Sequence, residues 1–376
     1  MKSNDKKLKY YKLEREGGRV AIFRDEMTSI ERREAYFRGE EVDRLPCAIM
    51  FEETAAVYAG INVKEYYFDS DKMLQAEKFI VREFGAESCG INVTLRGMAE
   101  ALGSNIGYSA TRASFLIDPV LKDYKMLESM DIVNPYKDGR LPIILEALGK
   151  IKKELGNEAS VGSGVSGPIS AAALVRGTEN LMRDFIQNKE GLHKLLEFIT
   201  ECNLAYVRAV YREHGLVCGI GDPVSCGNLL SPKLFNEFSK PYLKKTIDGI
   251  YKITGKKPSL HICGKTKGIW SELRDLNISA FSVDNCEDME EVKNVLGNKM
   301  CLVGNIDPVS VIRNGTVEDV YREVKSCIQK AADSPKGYII GTGCDIPSGA
   351  PIENIKAVIE ATKKYSGRVS IGKRNN

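Results

Sequence analysis

Eight short apolar runs, at residues 45–51, 88–93, 160–165, 216–220, 259–262, 280–283, 300–303 and 338–340, alternate along this chain with longer stretches of helical periodicity. The helical stretches span 71–84, 142–155, 179–214, 231–254, 289–295, 317–331 and 352–365. Strands separated by whole helices pair in parallel, because only antiparallel neighbours can be joined by a tight turn. Eight such units close naturally into a (β/α)8 TIM barrel, which is the fold expected here. An open, doubly wound sheet is the competing arrangement. It gains nothing from the sequence, since no G-x-G-x-x-G turn follows the first run and no G-x-x-x-x-G-K-[ST] loop occurs. Residues 103–118 read as a hairpin inserted after the second strand. Residues 1–26 form a basic N-terminal extension, 29–38 the first convincing helix, and 27–370 a single barrel domain.

Composition narrows the functional classes. The 54 basic and 51 acidic residues leave a formal charge of +3, too even for a nucleic-acid surface or an anionic membrane face. No run approaches the roughly 20 apolar residues that span a bilayer, and the start MKSNDKKLKYYKLEREGG lacks the apolar core of a secretory signal. A cytoplasmic protein is expected. Its ten cysteines are scattered without small-domain disulfide spacing, so most are expected to be small buried apolar side chains.

In a (β/α)8 barrel the chemistry sits where strands run into the following loops. The first strand here ends in Phe51-Glu52-Glu53, the second in Asn92-Val93-Thr94, the fourth in Gly221-Asp222-Pro223. The sixth ends in Asp284-Asn285, the seventh in Gly304-Asn305-Ile306-Asp307, and the eighth in Gly341-Thr342-Gly343-Cys344-Asp345. The fifth carries His261, one of only three histidines, two residues before Cys263. Strand residues i and i+2 project to the same side, so this imidazole and thiol share a face. With Cys344 on the same rim they form a Cys2His set with a fourth position open, the pattern of catalytic zinc. The plain alternative is a core histidine bonded to a carbonyl beside two inert thiols. Two thiolates leave a zinc ion modest Lewis acidity, better suited to holding an incoming thiol as thiolate than to activating water. That chemistry points to alkyl transfer.

The segments "GPISAAALVRGTENLMRDFIQNKEGLHKLLEFITE", "GDPVSCGNLLSPKLFNEFSKPYLKK", "VGNIDPVSVIRNGTVEDVYREV" and "GTGCDIPSGAPIENIKAVIEA" resemble the uroporphyrinogen decarboxylase superfamily, over residues 28–366. Within it, LHICG paired with G-C-D-I-P is similar to the methylcobamide:coenzyme M methyltransferase branch. The resemblance implies a (β/α)8 barrel holding zinc on His261, Cys263 and Cys344. It also implies methyl transfer between a corrinoid (methylcobamide), carried by a small, transiently docked corrinoid protein, and a metal-bound substrate. That substrate is a thiol acceptor or, in the reverse direction, a methoxy, methylamine or methylthio donor.

The decarboxylases of the superfamily carry an RQAGR stretch after the first strand, an Asp after the second and a Tyr in the helix after Gly-Pro. Here FEETAAVYAG has no Arg, Thr94 stands where the Asp is expected, and GPISAAALV has no Tyr. Metal-free decarboxylation of uroporphyrinogen is therefore the alternative reading, and the less favoured one. Asp222 stands where the superfamily places a substrate-contacting acid, or else caps the next helix. Glu52 and Glu53 meet a polar group of the substrate, supply a fourth zinc ligand, or form a solvated pair. Asn305 and Asp307 contact the corrinoid or shape a turn. Trp270 is expected to pack on a helix, and Cys226, Cys286 and Cys301 to be structural.

Overall fold

The structure, a computed structural model, describes residues 25–373. All but two residues of the expected N-terminal extension therefore lie outside the described residues. Asp25 and Glu26, the two within, are tied to the barrel: Asp25 pairs with Arg44 and Lys363, and Glu26 with Arg368.

Ten strands are present in chain order: β1 (Cys47–Ala48), β2 (Ser88–Asn92), β3 (Asn105–Gly107), β4 (Phe115–Asp118), β5 (Ser160–Ser166), β6 (Cys218–Gly221), β7 (Ser259–Ile262), β8 (Ala280–Val283), β9 (Cys301–Ile306) and β10 (Tyr338–Thr342). Eight of them make one parallel sheet in the order β1-β10-β9-β8-β7-β6-β5-β2, which curls into a nearly closed barrel. The other two, β3 and β4, are the inserted antiparallel hairpin. Among the described helices none is long and apolar enough to cross a membrane.

Local chemistry sets most boundaries. Thr28 with Glu31, and Thr316 with Asp319, form reciprocal capping boxes that start Ser29–Phe37 and Val317–Ala331. Two expected helices are interrupted. The 179–214 stretch is two helices, Thr178–Gln187 and Lys189–His214, because Asn188 leaves helical geometry and its carboxamide accepts from the Gly191 N–H to cap the second. The 231–254 stretch passes through a π-helical turn, Phe235–Ser239, just before Pro241, whose missing N–H suits the first turn of Lys240–Thr254.

The first strand is shorter than its apolar run. Pro46 has no N–H to give, though its carbonyl accepts from Ile340, and Met50 turns its N–H to the Thr342 hydroxyl. Among the described residues β1 pairs with β10 alone, so the seam between β1 and β2 has no ladder. A side chain substitutes for it. The Glu87 carboxylate accepts the Cys47 N–H at 3.0 Å and two arginines, Arg32 at 2.9 Å and Arg44 at 2.7 Å. Arg32 also makes a two-pronged bond to Asp43, at 2.7 and 3.0 Å. Arg32, Arg44 and Glu87 are all buried, which makes this network the floor of the barrel opposite the strand ends that carry the chemistry.

Candidate metal and substrate site

His261 leaves β7 pointing its Nε2 at the Cys263 sulfur, 3.0 Å away, and the Cys263 and Cys344 sulfurs are 3.6 Å apart. One ligand atom from each of the three residues lies within 4.8 Å of the others. A tetrahedral zinc with bonds of about 2.0–2.3 Å spaces its ligand atoms roughly 3.3–3.8 Å apart. The set is therefore already gathered to about the size of the ion, and its soft sulfur and imidazole donors are those zinc prefers. All three side chains are half-buried, so the open face of the set is not sealed under packed loops.

Neighbouring strands prepare the imidazole. In the β7–β8 register His261 faces Ser282, and His261 Nδ1 lies 3.0 Å from the Ser282 hydroxyl and 3.2 Å from its carbonyl. The carbonyl can only accept, so Nδ1 carries the proton and the Nε2 lone pair is left facing the sulfurs. The thiols are prepared as a pair. The hydrogen bond from Cys263 and the nearby His261 hold the Cys344 thiol well below its ordinary range, while the same bond and burial push Cys263 up. A divalent cation bound there would hold both sulfurs as thiolates, with loss of their protons.

The loops are fixed from both sides. Asp284 accepts the Gly264 N–H at 2.8 Å and the Cys286 N–H at 2.9 Å, Asn228 accepts the Lys265 N–H at 2.8 Å, and Glu287 accepts from Thr266 and Lys267. The Trp270 indole donates to the Thr266 hydroxyl, so this tryptophan packs and also braces the metal loop. Gly264 has φ +74°, the left-handed turn that ends the HICG stretch. Gly343 admits no side chain: a Cβ there would lie 2.4 Å from the Asn285 nitrogen.

The other residues singled out in the sequence fall into two groups. Asp222 is fully buried. One carboxylate oxygen accepts from the Ser170 N–H at 2.9 Å and the Ser170 hydroxyl at 2.6 Å, and the other from Ser225 at 2.7 Å. Burial pushes its carboxyl up against the pull of those donors, and its own N–H donates to the His261 carbonyl at 2.9 Å. It braces the His261 strand and the first turn of Pro168–Arg176 rather than facing the mouth. Asn305 likewise spends its amide on the carbonyls of Asp284 and Glu287, and Asp307 caps the turn Pro308–Arg313.

Glu52 does belong to the mouth. Burial, then the nearby Asp345 and Glu53, push its carboxyl up to about 8. Burial likewise pushes Asp345 up to about 7, with Cys344 and Glu53 adding to the shift.

Sequence reasoning missed Ser282 and Asn228 as parts of the site. Ser282 was recoverable from the two-residue offset between Ser282 and Asp284 on the strand after His261.

Comparison with known proteins identifies the family and its methyltransferase relatives. The family model for uroporphyrinogen decarboxylase (URO-D) matches residues 28–365. Among curated relatives, the methylcobamide:CoM methyltransferase MtbA of Methanosarcina acetivorans is 28% identical over 347 residues, covering 90% of this chain and 99% of its own. The methylcobamide:CoM methyltransferase MtaA of Methanosarcina barkeri is 26% identical, with 88% and 96% covered. Among solved structures, a methyltransferase from Methanosarcina mazei superposes with a TM-score of 0.79 at 25% identity, covering 90% of this chain and 99% of that one.

Proposed function

The chain belongs to the uroporphyrinogen decarboxylase family, and within it we propose that this protein is a cytoplasmic, zinc-dependent, corrinoid-dependent methyltransferase. It exchanges a methyl group between a corrinoid, delivered by a small protein that docks transiently at the barrel mouth, and a small molecule bound through sulfur, nitrogen or oxygen at His261, Cys263 and Cys344. The observation that carries this reading is the three-ligand set with the His261 tautomer fixed by Ser282. The curated methyltransferases that match nearly end to end support it.

His261, Cys263 and Cys344 would hold the zinc ion, and the cation supplies the charge that keeps a thiol ionised or eases the departure of a heteroatom at neutral pH. Ser282 keeps the Nδ1 proton away from the metal face. Cys263 and Cys344 would bind the ion as thiolates, each having lost its proton. Asp222 and Asp284 hold the two loop ends in register, and Asn305 with Asp307 shapes the rim on which the corrinoid would rest. Glu52 keeps a carboxyl beside the metal set at the mouth, available to a polar group of the substrate.

Decarboxylation of uroporphyrinogen has little support. The helix after β5 reads PISAAALVR without a tyrosine, Thr94 occupies the β2 loop, and the β1 end offers carboxylates to a substrate that is itself polyanionic. Purified protein should contain about one zinc per chain, as three-ligand catalytic sites do. It should bleach the methylcobalamin spectrum when a thiol is added, and lose that activity with the metal on chelation. It should not convert uroporphyrinogen to coproporphyrinogen. Undiminished methyl transfer after the metal is removed would sink the assignment, and so would measurable decarboxylation.

A narrower test isolates the imidazole's partner. Ser282→Ala should lower zinc affinity about 10- to 100-fold, as loss of an orienting partner does at other metal sites, with unfolding unchanged. Competition against a chelator reads this directly. Unaltered affinity would mean that the backbone carbonyl alone fixes the ring.

A further inference from the structure

Three buried side-chain atoms that no other group of the protein hydrogen-bonds belong to residues lining one cleft: Glu53 Oε2, Thr94 Oγ1 and Arg140 Nη2. The cleft lies at the ends of β1 and β2, opens to solvent, leaves about 10 Å3 free inside, room for one small polar group, and has Phe51, Glu52, Tyr67 and Asn92 as further walls. Glu53 is 9% exposed and Arg140 2%. Buried polar groups almost always find partners, so three orphans on one cleft call for an occupant.

The rest of each residue is well anchored. Arg140 donates from Nε to Glu100 at 2.7 Å and to the Tyr108 hydroxyl at 3.1 Å, and its guanidinium lies 4.6 Å from the centre of the Tyr67 ring. Thr94 has φ +60°, a left-handed conformation that β-branched residues avoid, and Ser166 holds its carbonyl at 2.8 Å. Backbone strain of this kind persists where the surroundings enforce it, and it gathers at ligand sites.

The chemistry of the orphans defines what fits. A carboxylate oxygen accepts, a guanidinium nitrogen only donates, and a hydroxyl does either. A bare anion would satisfy Arg140 and Thr94 but face Glu53. A bare cation would satisfy Glu53 and leave Arg140 Nη2 without an acceptor. The other charges at this end of the mouth are of both signs: Arg96 acts on Glu52 and on Asp345 against the neighbouring carboxylates. The chain links the cleft to the ligand loop: Glu52 lines the cleft and feels the charge of Asp345, which follows Cys344, and the Ile346 N–H donates to the Met50 carbonyl at 2.9 Å.

We propose that this cleft is the specificity subsite for the small molecule whose heteroatom meets His261, Cys263 and Cys344, and that it selects an uncharged polar end carrying both donor and acceptor, a hydroxyl or a primary carboxamide. The proposal rests on the methyl-transfer reading above for the position of the reacting atom.

The test is calorimetric titration of the zinc-loaded protein with ethanethiol, mercaptoethanol, mercaptopropionamide, cysteamine and mercaptoethanesulfonate. The hydroxyl and amide thiols should bind about 10- to 100-fold more tightly than the other three, the range for hydrogen bonds to charged partners. Thr94→Val should weaken mercaptoethanol about tenfold and leave ethanethiol unchanged. Glu53→Gln should narrow the gap to the sulfonate. Equal affinity across the five thiols overturns the subsite and leaves the thiol-binding reading standing.

If no thiol binds, the thiol form of the methyl-transfer reading fails, and a crystal soaked in glycolamide, which has no sulfur, still decides the subsite. Density for the amide bridging Glu53 and Arg140 is the expected result. A direct Glu53–Arg140 ion pair, or solvent that glycolamide never displaces, overturns it.

Discussion

Alanine at Cys263 or at Cys344 will leave the protein folded, nearly free of zinc, and at least about a thousandfold slower in methyl transfer, equivalent to ~4 kcal/mol of transition-state stabilisation. The reason is geometric. Both sulfurs sit half-buried beyond the strand ends, where Cys344 follows a glycine that packs against the Asn285 backbone and Cys263 precedes the left-handed Gly264. Neither thiol fills the apolar layers of the barrel, so truncation opens no core cavity and circular dichroism should be unchanged. What is lost is one of three donors to a cation, and the two that remain cannot hold it at the same affinity. Metal analysis and single-turnover demethylation of methylcobalamin measure the two effects separately. A Cys344→Ala protein that keeps its zinc and turns over normally would show that Cys344 is no ligand.

The largest effect on stability is expected at the other end of the barrel. Glu87→Leu should destabilise the fold by about 3–5 kcal/mol, the cost of breaking a buried ion pair from one side. Two buried arginines and the Cys47 N–H converge on that single carboxylate, and leucine offers none of them an acceptor. Leucine is slightly larger than glutamate, so the loss does not come from an emptied cavity. The urea midpoint should fall with little change in slope, because the surface exposed on unfolding is the same. A midpoint within error of wild type would mean that Asp43 and Asp25 neutralise Arg32 and Arg44 without help.

Much of this was legible in the residues. β7, β8 and Val317–Ala331 lie at their expected bounds, because short apolar runs between polar helices leave few other readings and the Thr316 box marks a helix start. The metal set was legible for a related reason. In a parallel barrel the strand ends share one rim, so HxC and a distant Cys344 could be placed together without coordinates.

The roles of polar residues were harder to read. Asp222 looks catalytic as an acid at a strand end, yet whether it meets Ser170 and Ser225 or the open mouth depends on which loop packs over it. Asn305 misleads in the same way, since its amide faces two carbonyls that no local pattern brings near. The truncation of β1 was partly foreseeable from Pro46. The Glu87 hub was not, because its partners stand 40 to 55 residues away in sequence.

The one-sided attachment of β1 has a consequence for how the chain is made. Cys47 and Ala48 are among the first barrel residues to leave the ribosome, yet their ladder partners are Ile340 and Gly341. For most of synthesis the first strand has only the Glu87 side chain to hold it, and the ring cannot shut until β10 arrives. Native pairs this far apart in sequence form late and slowly. An arrested nascent chain lacking β10 would leave the flanks of β1 and β9 with unpaired backbone, the kind of edge to which chaperones and other strands adhere. Moving the chain break by circular permutation to the exposed tip of the hairpin, between β3 and β4, would put β1 after β10 in the chain, separated from it by the helices Ile352–Ser366 and Ser29–Phe37 with their flanking segments instead of by nearly the whole barrel. That rearrangement should speed refolding while leaving the mouth unaltered.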